Sequence, residues 1–212
     1  MNFKPNEIQA GLFILILHLV GIAGYLIPVL NHYFLWLTPF NLLLTGLVIV
    51  YFNRQKRIGG ELTLLIVFLL GFFAEILGVK TGALFGEYQY GETLGFKVLD
   101  VPLIIGMNWL VLGYSFGSLT KKYVTTKPLA VIVGAAAMVL LDIIIEPIAI
   151  RYDYWSWQHT EVPLQNYLGW FLIALVVQYL LQRLDLQKLH KLMLLVILSQ
   201  VVFFIALNIL ST

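Results

Sequence analysis

The chain has 212 residues, of which 60% are hydrophobic and 11% charged. A soluble domain is about 45–50% apolar and about 25% charged, and a fold as apolar as this one lacks the polar groups to cover a water-facing surface, so an ordinary soluble domain is excluded. A net charge of +2 gives no footprint for nucleic acid, and the absence of cysteine excludes disulfides, thiolate metal sites and a cysteine nucleophile.

A spanning helix takes roughly 20 apolar residues. In chain order the stretches that qualify are Ile8–Val29, Tyr33–Phe52, Leu62–Val79, Val98–Leu119, Leu129–Ile150, Leu164–Leu181 and Leu189–Leu210. Pro102 and Gly106 interrupt the start of the fourth. The first reads as a retained helix, since no small-residue cleavage site follows it. The expected fold is an all-α membrane protein, a bundle of about seven transmembrane helices forming one polytopic domain over 1–212. Basic residues follow the second helix (Arg54, Lys56, Arg57), the fourth (Lys121, Lys122, Lys127) and the sixth (Arg183, Lys188, Lys191). The alternate connections hold only Lys80, Lys97 and Arg151. The positive-inside rule then puts the N-terminus, with Lys4, in the cytoplasm.

The outer connections Lys80–Lys97 and Arg151–Pro163 are rich in aromatic residues, among them Tyr88, Tyr90, Tyr152, Tyr154, Trp155 and Trp157. An aromatic belt at the membrane interface accounts for the rings. It does not account for the accompanying glycines, which point to tight turns or close backbone approach.

Glu75, Asp142 and Glu146 lie within the apolar stretches. At about 1.5 Å rise per residue, Glu75 sits roughly 21 Å above Glu61 in a core about 30 Å thick, and Asp142 sits equally far above Pro128. Glu146 is one turn further out on the face of Asp142. Asn108 and Asn166 fall at similar levels, so polar groups from four helices meet in one slab. An acidic residue at the centre of a membrane helix costs about 2.5–3.5 kcal/mol on insertion scales, and such residues commonly face a cavity and carry function. The bland alternative is a hydrogen-bonded acid that joins helices. A neutral carboxylic acid in an apolar site is also a general acid.

Other chemistries find no support. His18, His32, His159 and His190 are scattered, without metal-ligand spacing. No nucleotide-binding glycine motif and no G-x-S-x-G elbow occurs, and Met193–Leu210 holds no lysine for a retinal Schiff base.

Five segments share a further pattern: Glu75 to Tyr90 with Thr81, Phe85 and Tyr88; Val101-Pro102 leading to Asn108-Trp109; Asp142 with Glu146-Pro147; Tyr154-Trp155-Ser156-Trp157; and Val162-Pro163 through Asn166 to Gly169-Trp170. In order and spacing, from about Leu62 to Trp170, they resemble the membrane carotenoid-biosynthesis family of carotenoid 1,2-hydratases. That family acts on γ-carotene, lycopene and bisanhydrobacterioruberin. The resemblance implies a cofactor-independent enzyme of the cell membrane that adds water across the terminal C1–C2 double bond of an acyclic carotenoid end. The proton goes to C2, aromatic faces stabilise the tertiary cation at C1, and water attacks. Asp142 or Glu75 would donate the proton, and Glu146 would position water or take its proton. Asn108 and Asn166 would orient these groups. Tyr88, Trp109, Trp155, Trp157 and Trp170 would bind the substrate end. The lipophilic carotenoid would enter sideways from the bilayer lipid, and assembly with a second copy or with other carotenoid enzymes stays open. An end-group cyclase uses the same protonation and is the alternative enzyme. A proton-coupled transporter is the alternative outside enzymes, with no inverted repeat in its favour.

Overall fold

A computed structural model describes residues 6–56, 60–159, 161–184 and 189–211. Among these it contains seven helices: α1 (Glu7–Leu26), α2 (Pro28–Lys56), α3 (Glu61–Thr81), α4 (Ile104–Tyr123), α5 (Lys127–Arg151), α6 (Leu164–Leu181) and α7 (His190–Leu210). All except α4 are long and apolar enough to cross a membrane. The chain is thus a multi-pass helical membrane protein. Of the basic residues used for orientation, Lys4, Arg57 and Lys188 lie outside the described residues, as do the side chains of Arg54 and Lys56.

Each helix boundary has a local cause. Asn6 caps α1: its side chain accepts from the Gln9 amide at 2.9 Å, and the Gln9 side chain accepts from the Asn6 amide at 3.0 Å, a reciprocal capping box. The sequence places a gap between Val29 and Tyr33, but α2 begins at Pro28. Proline suits the first helical position, where its missing N–H has no acceptor to satisfy.

The fourth helix starts at Ile104, not at Val98. Leu99 and Asp100 take left-handed conformations with φ of 53° and 68°, turning β2 (Lys97–Val98) back onto β3 (Val101–Pro102). Asp100 stays exposed beside Lys80, and the hydrogen bond and charge of that ammonium hold its carboxyl below the usual range.

Helix α4 packs against α2, α3, α5, α6 and α7. The run Trp109–Ser115 is buried on every side, which explains the lower apolarity of this helix. It meets protein where the others meet lipid, and its Gly113, Gly117 and Ser118 allow close approach. Helix α2 is the opposite case. Val29, Tyr33, Trp36, Leu37, Phe40, Leu44, Leu47 and Tyr51 recur at helical spacing and are exposed, forming a lipid-facing stripe.

The two aromatic connections expected as loops meet in an antiparallel ribbon at one end of the bundle. Strand β1 (Tyr88–Tyr90) pairs with β4 (Trp155–Trp157) in the register Tyr88 to Trp157, Gln89 to Ser156 and Tyr90 to Trp155. The Gly91 amide donates to the Tyr154 carbonyl at 3.0 Å, and the Gln158 amide to Glu87 at 3.0 Å. Asp153 accepts from the Glu92 amide at 2.9 Å. Tyr154 anchors the ribbon to the bundle: Tyr25 bridges it to Thr38, with both oxygen–oxygen distances at 2.5 Å. Gln165 of α6 donates to the Gly82 and Ala83 carbonyls at 3.0 and 2.7 Å.

Gly169 shows why the glycines are present. A Cβ there would overlap the Leu84 carbonyl and press on Phe85, separating α6 from the segment that leads into β1. Gly169→Leu is expected to cost about 1–3 kcal/mol, the scale of overpacking a filled interior. The readout is the thermal midpoint in mild detergent, where a lipid-facing Leu172→Ala should have a smaller effect.

Candidate active site

Strand alternation points residues i and i+2 to the same face. On the ribbon this directs Tyr88 and Tyr90 of β1, and Trp155 and Trp157 of β4, towards the bundle. Each pair meets one buried acid. Glu75 Oε2 accepts from Tyr88 Oη at 2.5 Å and from Tyr90 Oη at 2.8 Å. Glu146 Oε1 accepts from Trp155 Nε1 at 2.7 Å and from Trp157 Nε1 at 2.6 Å. Trp109 of α4 completes the Glu75 shell, its Nε1 donating to Oε1 at 3.0 Å. Burial, and then the neighbouring Glu75 carboxyl, push the phenols of Tyr88 and Tyr90 far above the usual tyrosine range, so both stay protonated donors.

The three acids are unequally supplied with donors. Glu75 receives Tyr88, Tyr90 and Trp109. Glu146 receives two indoles on Oε1, while its buried Oε2 has no hydrogen-bond partner among the described residues. Among the described residues, Asp142 receives one long bond, 3.4 Å from Asn166 Nδ2. All three are buried, with exposures of 1% for Glu75 and Asp142 and 3% for Glu146.

These groups enclose a space of about 20 Å³, lined by Glu75, Tyr88, Tyr90, Ile105, Asn108, Asp142, Glu146, Trp155, Trp157, Asn166 and Trp170. That volume is room for about one water molecule. The structure therefore brings together nearly every residue singled out in the sequence. Trp109 is placed differently: it does not line the space but stacks behind Trp170, with ring centroids 4.1 Å apart and planes at 20°. Sequence reasoning missed Tyr90 and Ile105 as lining residues. The signal for Tyr90 was available, since Tyr88-x-Tyr90 and Trp155-x-Trp157 have the same period of two. Among the described residues no group of three or more His, Cys, Asp or Glu side chains is arranged to hold a metal ion.

An apolar groove of about 390 Å³ adjoins the enclosed space, and Ile105, Asn108 and Trp155 line both. Its walls come from α1, α2, α4, α5 and α7, with Gly21, Phe34, Phe203 and Phe204 among the apolar lining and His18, Thr38, Asn41, Thr45, Asn108 and Gln200 among the polar. Val20, Leu37, Phe40 and Leu44 line it and are also exposed on the outside of the bundle, so the groove opens sideways.

Residues 37–212 match the model of a family described as carotenoid biosynthesis protein. The chain belongs to that family. The match extends beyond Leu62–Trp170 into α2 and through α7, two of the helices that wall the groove. Among curated proteins, the chain is 30% identical over 158 residues to bisanhydrobacterioruberin hydratase of Haloarcula japonica. The alignment covers 67% of this chain and 50% of that relative, so the chain spans about half the length of the curated protein it matches. No solved structure matches it significantly.

Tyr90→Phe removes one donor from Glu75 with little change of shape. A hydrogen bond is worth about 0.5–1.5 kcal/mol net, and a loss of stability of that order is expected in detergent unfolding. In a Glu75→Gln background the loss should shrink by at least about 0.5 kcal/mol, the coupling expected of residues in direct contact.

Proposed function

We propose that this protein hydrates the ψ-end group of an acyclic carotenoid, adding water across the terminal C1–C2 double bond to give a tertiary alcohol. The observation that carries the reading is the enclosed, acid-lined space of about 20 Å³ beside a groove that opens towards lipid. Such a site matches the two reactants, one small and polar, the other long and apolar. The kinship with a hydratase supports the choice of reaction.

The donor inventory suggests the roles. Hydrogen-bond donors favour the charged form of a carboxyl group. Glu75, with three donors, is assigned as the standing carboxylate that fixes the ribbon and Trp109. Asp142, with one long bond, is assigned as the proton donor. The polyene end lies in the groove and reaches the Ile105–Asn108–Trp155 wall. Asp142 protonates C2, and the positive charge develops at C1 beside the faces of Trp155 and Trp170, where cation–π attraction lowers its energy. A water held by Glu146 Oε2, Asn108 and Asn166 attacks C1, and its proton passes to Glu146. Return of that proton to Asp142, one helical turn away, restores the resting state without a net change in protons.

Orientation follows the basic connections: the ribbon end faces outwards and the N-terminus lies in the cytoplasm, with the chain resident in the cell membrane.

Single replacements Glu75→Gln, Asp142→Asn and Glu146→Gln in cells that make lycopene test the assignment. General acid–base catalysis contributes about 10²–10⁴-fold, so Asp142→Asn and Glu146→Gln should lower the hydroxylated pigment by that order. Near wild-type yield from all three amides would contradict acid catalysis by this cluster.

A further inference from the structure

Resting on the hydration reading, we propose that the two reactants reach the acid-lined space by separate routes, the polyene through the apolar groove and water through a polar vestibule behind the aromatic ribbon. The vestibule is a cavity of about 480 Å³ lined by Lys80, Thr81, Glu87, Gln89, Ser156 and Gln158 together with Val79, Gly82, Tyr88 and Trp157. Tyr88 and Trp157 belong to both this cavity and the acid-lined space. They are directly opposed in the ribbon, with ring centroids 5.2 Å apart and planes inclined at 39°. The pair is a partition one ring thick. Its polar atoms face inwards, Tyr88 Oη to Glu75 and Trp157 Nε1 to Glu146, and its ring bodies back onto the vestibule.

The alternate residues of the same strands complete the arrangement. Gln89 and Ser156 are Cα partners. Strand alternation turns them away from the acids, and both line the vestibule. The ribbon is therefore a two-faced wall, with aromatic donors towards the acids and amide and hydroxyl groups towards water. The groove is the poorer water route, because an occupying polyene would block it. Water delivered one molecule at a time across the Tyr88–Trp157 partition meets the unpartnered Glu146 Oε2 as its first free acceptor. Delivery by this path determines whether the cation at C1 becomes an alcohol or returns its proton.

The test narrows each route separately and compares substrates of two lengths. The wild-type protein in liposomes is assayed with lycopene and with citronellol, a short olefin bearing the same trisubstituted end. The double variant Gln89→Phe/Ser156→Phe fills the vestibule with residues that suit a cross-strand pair. Gln158→Trp, at an exposed position, narrows the vestibule independently should the double variant fail to fold. Both are expected to lower kcat roughly tenfold for lycopene and citronellol alike while leaving KM unchanged. Leu37→Trp, at the lipid mouth of the groove, is expected to raise KM for lycopene and spare citronellol. Unchanged kcat in both vestibule variants would overturn the route. So would a loss confined to lycopene, which would put the polyene on the ribbon side. Wild-type protein that hydrates neither substrate would sink the hydration reading itself, a result distinct from either of these.

Discussion

A carboxyl group buried in a membrane protein must be hydrogen-bonded or it is prohibitively costly, and in this fold most of the donors come from two strands outside the helices. Helices α3 and α5 carry Glu75 and Glu146 into the apolar interior but supply neither with side-chain donors of their own. Tyr88 and Tyr90 come from one extramembrane strand, and Trp155 and Trp157 from another. The two strands deliver them because they pair with each other. Much of the structure around the site serves that pairing: Tyr25, Thr38 and Tyr154 tie the ribbon to α1 and α2, Gln165 holds the approach to β1, and Gly169 lets α6 fit beneath it.

The same wall has two chemically different sides. On its inner side the acid-lined space adjoins a groove lined by the apolar faces of α1, α2 and α7 and open to the side. On its outer side lies the polar vestibule. Adding water to a carotenoid requires both reactants at one carbon atom, although neither is soluble where the other is abundant. In the proposed reaction, a site one ring away from a polar cavity and one side chain away from an apolar groove would solve that problem by position. Asn108, which lines both the groove and the acid-lined space, marks the boundary at which the reactants would meet.

The helices and the acid cluster were legible in the sequence for a definite reason. The α-helix has a fixed rise, so counting along Glu61–Thr81 and Lys127–Arg151 is enough to bring Glu75 and Asp142 to one level, with Glu146 one turn beyond. The ribbon was not legible in the same way. Each strand has only three residues, too short for period-two alternation to stand out from an aromatic belt, and their pairing joins positions far apart in the chain. The start of α4 was misplaced because Leu99 and Asp100 adopt left-handed conformations that no glycine announces. The groove was invisible for another reason: an apolar side chain facing a cavity and one facing lipid look alike in sequence. The unequal count of donors around the three acids, on which their proposed roles rest, is not visible in the sequence.

The proposed reaction adds water, and only water, to a carotenoid end. The most direct test is the fate of isotopic oxygen with the purified protein in liposomes, lycopene as substrate, labelled water and no oxygen gas. Hydration gives a product heavier than lycopene by one molecule of water, with the label in its tertiary hydroxyl group. A product isomeric with lycopene, or one that forms only when oxygen gas is admitted, would contradict it.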